Sequence, residues 1–346
     1  MSRAFEEAGI MSCIVKSDKE RLEYRRGGLE FEKYPKTFEL PCLVDSPLVK
    51  GYAPFPIIPQ IFDVVKGLKP DIVNVSEHIS FPTWLFSTLK RDWKTVLTEH
   101  GSCWRGFRDG VYNLIAAKLL VRRIDGFVGI GLRAKSFLEG LGAQKVDVIP
   151  NPIDCQLFKP SLSHDKKQNI VLYVGKADTF RGLHVLLPAM KLVRKRIKDA
   201  KLQIIGQEGN LSSYIRAHAS GVEYLGPKPH HTMPAYYNQA KLLANPFTHA
   251  IAGCTCATSE ALACGIPVVV TEYLDFPFLW HEGEVGFMTS FSDTTSAGLA
   301  DAIIKALTSG EEIQGRCRQI AVREFSYRSV GTRYLEVFRR VLNTCQ

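Results

Sequence analysis

The chain has 346 residues, of which 45% are hydrophobic and 23% charged, and its formal net charge is +9. This is the composition of a globular protein long enough for two domains, and it excludes collagen-like, low-complexity and disordered chains. No apolar run is long enough to cross a bilayer, and residues 1–10 hold two glutamates and no hydrophobic signal core. We therefore expect a cytoplasmic protein.

Neither the charges nor the nine cysteines indicate a specialised module. Residues 1–153 carry 22 basic and 18 acidic side chains and the remainder carries 22 and 17, so neither half has the concentrated charge of a nucleic-acid-binding domain. The mild basic surplus would suit an anionic ligand or peripheral association with the acidic inner face of a membrane. The odd number of cysteines and the absence of a C-x-x-C pair favour reduced thiols over a disulfide framework. The remaining zinc candidates lack finger-like spacing: His249, Cys254, Cys256 and Cys264.

The first residues predict the tail of a helix at Arg3–Gly9 and a strand at Cys13–Val15. An α/β domain normally opens with a strand and a phosphate-facing loop, and here that strand is missing. Gly27-Gly28 lies too late to replace the loop, so either the chain starts upstream or this side of the domain is remodelled. Short apolar runs then predict four buried strands, at Ile72–Val75, Val96–Leu97, Phe127–Ile130 and Val146–Ile149.

Strands and helices continue to alternate in the second half, which indicates an α/β fold with parallel sheets. Helices are predicted at Gly182–Lys198 and Ala297–Leu307. The basic residues within Lys191–Lys201 alternate with apolar ones and are interpreted as the solvated face of the first of these helices. Two prolines within Ile149–Asp154 stop regular structure and predict a domain linker. Five more strands are predicted at Ile170–Val174, Leu202–Ile205, Val222–Leu225, Leu242–Ala244 and Val268–Val270.

Two strand ends in the first half carry candidate ligand-binding residues. His100 follows a strand in the segment Thr98–Gly101, and open α/β sheets bind ligands at the carboxyl ends of their strands. Gly129–Ala134 matches the dinucleotide fingerprint G-x-G-x-x-A. The acidic residue that would hold the ribose, Asp147, stands at the start of its strand instead of the end, so we interpret Gly129–Ala134 as an ordinary strand-to-helix turn.

A phosphate site is predicted where Tyr173–Lys176 ends a strand and Arg181-Gly182 opens a helix. Exposed amides, a helix dipole and two cations together suit a diphosphate. A second helix, Ala257–Cys264, follows the tight loop Ala252–Thr255 and contains Glu260 among apolar residues. A buried carboxylate needs a partner or a ligand. A ribose diol would satisfy Glu260, and pairing with a nearby Lys or Arg is the alternative.

Taken together, these residues resemble the family 4 glycosyltransferases, which have the GT-B fold. The most specific fragment is Glu260–Val269, similar to the family's EAMACGxPVV. The other fragments are similar to PDIVH, TxHG, VIPNGVDxxxFxP, LYVGR, IVG, VxFLG and FSW, and they stand in this order at Pro70–Val73, Leu97–Gly101, Val148–Pro160, Leu172–Lys176, Ile204–Gly206, Val222–Gly226 and Phe325–Tyr327.

The resemblance implies two Rossmann-like domains with parallel sheets that face each other across a cleft. Residues 1–153 would bind the acceptor, residues 154–325 the donor, and a last helix over residues 326–346 would return to the first domain. Catalytic roles are implied for His100, facing the transferred sugar, and for Lys176 and Arg181 on the diphosphate. Donor-binding roles, with the ribose on the last residue, are implied for Gly175, Gly253, Cys254, Thr255 and Glu260.

The predicted function is that of a retaining, metal-independent hexosyltransferase that needs no cofactor. It would move a sugar from a UDP- or GDP-linked donor to a glycan, a lipid or another acceptor hydroxyl. No D-x-D triplet occurs in the chain. Two features depart from the family: the first strand is missing, and Ala252 stands where a glutamate normally contacts the donor sugar. A nucleotide-sugar epimerase of the same fold and a non-catalytic nucleotide-sugar-binding protein stay open as alternatives.

Overall fold

The computed structural model describes residues 1–12, 14–17, 37–40, 42–44, 55–56, 58–78, 80–88, 92–100, 115, 118–161, 168–218, 220–249, 254–272, 285–290, 293–310 and 312–343. The chain forms two compact units, one made of Met1–Pro150 with Val330–Gln346 and the other of Asn151–Ser329. The boundary between Pro150 and Asn151 lies within the proline-containing segment Ile149–Asp154.

The first unit is built around a parallel sheet of four strands in chain order, β5-β6-β7-β8. Two small sheets stand beside it: β1 pairs with β2 in parallel, and β3 pairs with β4 antiparallel. The strands are Ile14–Ser17 (β1), Thr37–Leu40 (β2), Cys42–Val44 (β3), Phe55–Pro56 (β4), Ile72–Ser76 (β5), Lys94–Glu99 (β6), Gly126–Gly129 (β7) and Val146–Val148 (β8). The helices are Ser2–Glu7 (α1), Ile58–Leu68 (α2), Phe81–Thr88 (α3) and Leu132–Gly140 (α4), with a 3-10 turn at Val121–Arg123.

The second unit contains a six-stranded parallel sheet in the order β11-β10-β9-β12-β13-β14. Its strands are Ile170–Val174 (β9), Lys201–Ile205 (β10), Val222–Gly226 (β11), Leu242–Asn245 (β12), Val268–Thr271 (β13) and Gly286–Thr289 (β14). Its helices are Leu183–Arg196 (α5), Ser212–His218 (α6), Met233–Gln239 (α7), Cys256–Ala263 (α8), Ser296–Thr308 (α9) and Glu312–Phe325 (α10), with a 3-10 turn at His230–Thr232.

The order of these six strands is that of a doubly wound sheet, in which the chain moves outward from β9 in one direction and then returns to add β12 on its other side. The carboxyl ends of β9 and β12 therefore flank the point at which the winding reverses. In open parallel sheets this point forms the crevice where ligands bind.

The last helix, Tyr327–Asn343 (α11), packs on the first unit. Phe5 makes edge-to-face contacts with Tyr334 and Phe338, at centroid distances of 5.3 and 5.6 Å. The Tyr334 hydroxyl lies 3.1 Å from the Thr98 hydroxyl at the end of β6. Helix α11 thus covers the sheet whose strand ends carry His100.

The α/β fold class and the parallel sheets predicted from the sequence are confirmed. All nine strands predicted from apolar runs are present, and their bounds differ by at most two residues at either end. The basic face also behaves as interpreted, since Lys191, Lys195, Arg196 and Lys198 are exposed while Val193 is buried. Cys13 lies outside the described residues, and β1 hydrogen-bonds to β2 instead of to the four-stranded sheet. Among the described helices, none combines the length and hydropathy of a membrane span.

Candidate active site

The turn after β9 brings the start of α5 against the end of β12. Gly182, the N-cap of α5, has φ +77°, a left-handed conformation that favours glycine. A Cβ atom at this position would lie 1.6 Å from the Pro246 carbonyl oxygen. Only glycine can therefore stand here, and it places the free amides of the helix start beside the strand ends where the winding reverses.

Arg181 is folded back over this turn. Its amide donates a hydrogen bond of 3.1 Å to the Asp178 carboxylate. A Cβ atom placed on Gly175 would lie 3.2 Å from the Arg181 Cδ and 3.5 Å from its Nη1, so the side chain runs along the end of β9. The guanidinium carbon lies 5.7 Å from the centroid of the Phe247 ring. The half-buried cation is thus held between the ends of β9 and β12.

Lys176 supplies a second cation at the same strand end. Its side chain is exposed, and its carbonyl oxygen accepts a 2.9 Å hydrogen bond from the Tyr173 hydroxyl. Burial raises the pKa of Tyr173, so the phenol stays protonated and keeps donating. Within the described residues neither Lys176 nor Arg181 is paired with a carboxylate. Two such cations beside a helix N-terminus would suit an anion, so this turn remains the candidate phosphate site.

Helix α8 begins on the other side of β12. Thr255 is its N-cap and accepts a 3.3 Å hydrogen bond from the Thr258 amide. The last residue of β12, Asn245, donates to the hydroxyls of Thr255 and Thr258 at 2.8 and 2.9 Å. Burial raises the pKa of the Cys254 thiol, which is therefore protonated and is no nucleophile. The end of β12 and the two residues after it thus contact both the start of α8 and the Arg181 turn, and so connect the two predicted motifs.

Glu260 is 7% exposed and accepts one hydrogen bond on each carboxylate oxygen. His230 Nε2 lies 2.8 Å from Oε1, and the Tyr237 hydroxyl donates to Oε2 at 2.8 Å. The alternative to a ribose, pairing with a nearby Lys or Arg, is not found among the described residues, because His230 and Tyr237 hold the carboxylate. Sequence reasoning missed both of them. His230 could have been found by the rule applied to His100, because it follows the carboxyl end of β11, whereas Tyr237 gives no such signal.

In the first unit, His100 follows β6 and is half-buried. Burial lowers its pKa, so the imidazole is neutral at pH 7. The preceding Glu99 is fully buried and accepts hydrogen bonds from the His78 amide at 3.1 Å and from His78 Nδ1 at 2.6 Å. Burial alone would raise the pKa of Glu99, but hydrogen bonds with His78 and Glu77 and the electrostatic interaction with His78 together outweigh burial and lower that pKa to about 2. The carboxylate of Glu99, the residue before His100, is therefore ionised and held by hydrogen bonds from His78.

Glu77, His78 and Glu99 form one cluster of potential metal ligands, the only one found among the described residues, with ligand atoms within 4.8 Å of one another. His78 Nδ1 and the Glu99 carboxylate are already in direct hydrogen-bond contact at 2.6 Å. We interpret this part of the cluster as a buried histidine–carboxylate hydrogen bond between the ends of β5 and β6.

The fingerprint-like segment Gly129–Ala134 is a strand-to-helix turn, as interpreted. A Cβ atom on Gly129 would lie 2.8 Å from the Lys135 amide nitrogen, so glycine is needed for close packing of α4 on β7. Asp147 forms an ion pair with Arg340 of α11 and is not free to hold a ribose. Of the predicted donor residues, Gly253 lies outside the described residues, as does Ala252.

Two family models match the chain, one in each half. The model described as Glycosyltransferase Family 4 matches residues 2–157, and the one described as Glycosyl transferases group 1 matches residues 168–309. Among the curated relatives, the phosphatidyl-myo-inositol mannosyltransferase of Mycobacterium tuberculosis is 26% identical over 286 residues, covering 78% of this chain and 69% of the relative. The D-inositol 3-phosphate glycosyltransferase of Segniliparus rotundus is 28% identical over 151 residues, covering 39% and 33%.

Solved structures share the fold at low identity. The Anabaena protein HepE in complex with UDP superposes with a TM-score of 0.71 at 17% identity, covering 88% of this chain and 86% of that one. The sucrose-phosphate synthase of Thermosynechococcus elongatus superposes with a TM-score of 0.73 at 18% identity, covering 99% and 92%. At these identities the likeness concerns the fold.

Proposed function

Because the chain belongs to the family 4 glycosyltransferases and has their GT-B fold, we propose that it is a retaining hexosyltransferase whose donor is a UDP- or GDP-linked sugar bound by the second unit. Lys176, Arg181 and the start of α5 would hold the diphosphate, and Glu260 would hold the ribose. The sugar would pass to an acceptor hydroxyl bound by the first unit, with His100 facing the transferred sugar.

The observation that carries the proposal is the pair of unpaired cations at the crevice between β9 and β12. Glycosyl transfer breaks the bond between the anomeric carbon and the diphosphate, and negative charge grows on the leaving oxygen. Fixed cations and helix amides already aimed at that oxygen stabilise the charge without reorganising. None of the described carboxylates is proposed as a nucleophile, because that of Asp178 accepts the Arg181 amide and that of Glu260 is assigned to the ribose. The departing phosphate would itself accept the proton of the acceptor hydroxyl, and attack would come from the face that it leaves.

The comparisons support a nucleotide-sugar donor. HepE was solved in complexes with UDP, with UDP and glucose, and with UDP-glucose. The mycobacterial relative is a mannosyltransferase by name. Calorimetric titration with UDP, GDP and ADP, and with their glucose and mannose conjugates, tests the proposal. One nucleoside diphosphate and its sugar conjugate should bind clearly better than the others, and absence of binding throughout would contradict it.

Activity should survive EDTA. The cations of Lys176 and Arg181 can do the charge-stabilising work that a divalent ion does elsewhere, and the chain has no D-x-D triplet to hold such an ion. Initial rates of nucleoside diphosphate release with and without chelator are the measurement. Loss of the rate in EDTA together with recovery in Mn²⁺ or Mg²⁺ would overturn this part of the proposal.

The acceptor is proposed to be a glycan or a lipid-linked hydroxyl. A relative that acts on phosphatidyl-myo-inositol, by its name, supports the lipid-linked case and with it peripheral contact with an anionic membrane. The net charge of +9 is compatible with such contact. Sedimentation with anionic vesicles should then decrease steeply as salt rises. No sedimentation even at low salt would favour a soluble glycan acceptor.

A further inference from the structure

We propose that His230 and Tyr237 are positioning residues of the donor site, which hold the Glu260 carboxylate in the orientation where its remaining lone pairs accept the ribose hydroxyls. The inference rests on the proposed function, since it requires a nucleoside ligand at Glu260. It adds two residues, from two other elements, to a ribose contact that the resemblance assigns to Glu260 alone.

The Glu260 carboxylate uses only half of its capacity to accept hydrogen bonds. Each carboxylate oxygen can accept two hydrogen bonds. Oε1 takes one from His230 and Oε2 takes one from Tyr237, both at 2.8 Å. Among the described residues no other donor contacts Glu260. Because the two donors approach different oxygens, the carboxylate cannot rotate freely, and one acceptor direction on each oxygen stays available for a diol.

Tyr237 fixes the carboxylate from the protein interior. It is fully buried, and burial together with the neighbouring charge of Glu260 raises the pKa of its phenol, so the proton stays on the hydroxyl and is donated. A buried tyrosine hydroxyl needs a polar partner, and Glu260 is that partner. The ring also packs edge-on against the buried Phe158, with 5.9 Å between centroids. Tyr237 therefore has little freedom to move with the ligand.

His230 fixes the carboxylate from the solvent side. Its side chain is 63% exposed, whereas that of Glu260 is 9% exposed. The imidazole rests against Phe158, with 5.1 Å between centroids, so both donors share one aromatic support. An ion pair with an exposed partner adds little to folding stability. Loss of His230 should therefore appear in ligand recognition more than in the melting temperature.

The test compares a nucleoside diphosphate with its 2′,3′-dideoxy analogue, which lacks both ribose hydroxyls, by calorimetry. UDP and dideoxy-UDP serve as the probes, or the guanosine pair if the wild-type chain prefers GDP. The wild-type chain should favour the diol about tenfold to a hundredfold, the range for hydrogen bonds to a charged acceptor. Glu260→Gln should lose most of this preference. Tyr237→Phe and His230→Ala should each reduce the ratio of the two affinities about three- to tenfold. Affinity for the dideoxy analogue should stay unchanged.

The chain offers a matched control beside each residue. His231→Ala and Tyr236→Phe remove the same groups one position away and should keep the wild-type preference for the diol. His230→Gln can still donate from its amide to Glu260 and should restore much of the preference that His230→Ala loses. Thermal melts of every variant check that the second unit is folded.

Two results would overturn the inference. In one, His230→Ala and Tyr237→Phe keep the wild-type ratio between the two ligands. In the other, they weaken both ligands equally, which is the outcome of a purely structural role. Failure of the proposed function is distinguishable, because the wild-type chain would then bind no nucleoside diphosphate, and the inference would fall with it.

Discussion

Arg181→Ala should lower kcat by about 10²-fold or more, while KM changes far less. The guanidinium lies over the end of β9 beside Phe247 and has no carboxylate partner among the described residues. Its planar fork can take two phosphate oxygens, whereas Lys176 is exposed and offers a point charge. Because charge on the diphosphate grows as the sugar leaves, the loss falls on the transition state more than on donor binding. Lys176→Ala should also lower kcat, but by a smaller factor than Arg181→Ala.

Steady-state kinetics on both single variants and the double variant provide the measurement. The double variant should lose less than the product of the two single losses, since both cations serve one charge. Arg196→Ala is the matched control, because it removes an exposed arginine at the far end of the same helix, α5. Near-normal kcat in both single variants would mean that the diphosphate is held elsewhere.

His78→Leu should destabilise the first unit by about 3–5 kcal/mol, the range for leaving a buried charge without its partner. The change leaves the fully buried carboxylate of Glu99 without the imidazole that lies 2.6 Å from it. Denaturant titration at pH 7 measures the difference in the free energy of unfolding. Glu139→Gln is the control, since its 3.8 Å contact with Lys135 is exposed and should contribute less than about 0.5 kcal/mol. If His78→Leu lowers the free energy of unfolding no more than Glu139→Gln does, the contact between His78 and Glu99 does not stabilise the first unit as proposed.

The stabilisation by Glu99 should also depend on pH in a defined direction. Its pKa is about 2 in the folded chain, against an ordinary value of 4.5, so the unfolded chain binds more protons between these values. The contribution is complete above pH 4.5 and is lost as the pH falls toward 2. The difference in unfolding free energy between the wild-type chain and Glu99→Gln should therefore narrow below pH 4.5. A difference that stays constant from pH 7 to about pH 3 would contradict the assignment.

The strands of both sheets could be predicted because strands buried on both faces read as short apolar runs. Gly286–Thr289 was missed because it is a four-residue edge strand in which Phe287 and Met288 are half-buried. The site was predictable only in pieces. Arg181 at a strand-to-helix turn and Glu260 in an apolar helix can be recognised from neighbouring residues. The strand order that brings β9 beside β12 cannot be predicted from any local sequence pattern.

Contacts across the chain account for the rest of what sequence reasoning missed. His230 and Tyr237 approach Glu260 from 30 and 23 residues away, and Asn245 reaches Thr255 from the end of β12. Tyr237 and Asn245 lie in no local pattern that indicates a ligand, whereas His230 follows the carboxyl end of β11 and could have been considered. A lysine or arginine beside Glu260 was the alternative to a ribose because these are the usual partners of a buried carboxylate, and the fold places a histidine and a tyrosine there instead.

Product analysis with the nucleotide sugar that binds best decides whether the chain transfers a sugar. The purified chain is incubated with that donor, a panel of glycan and lipid-linked acceptors and EDTA, and the products are identified by mass spectrometry and NMR. The account predicts equal amounts of nucleoside diphosphate and glycosylated acceptor, with the anomeric configuration of the donor retained. An isomeric nucleotide sugar formed without acceptor would indicate an epimerase instead. Binding of the donor with no turnover on any acceptor would contradict the enzyme and favour a nucleotide-sugar-binding protein.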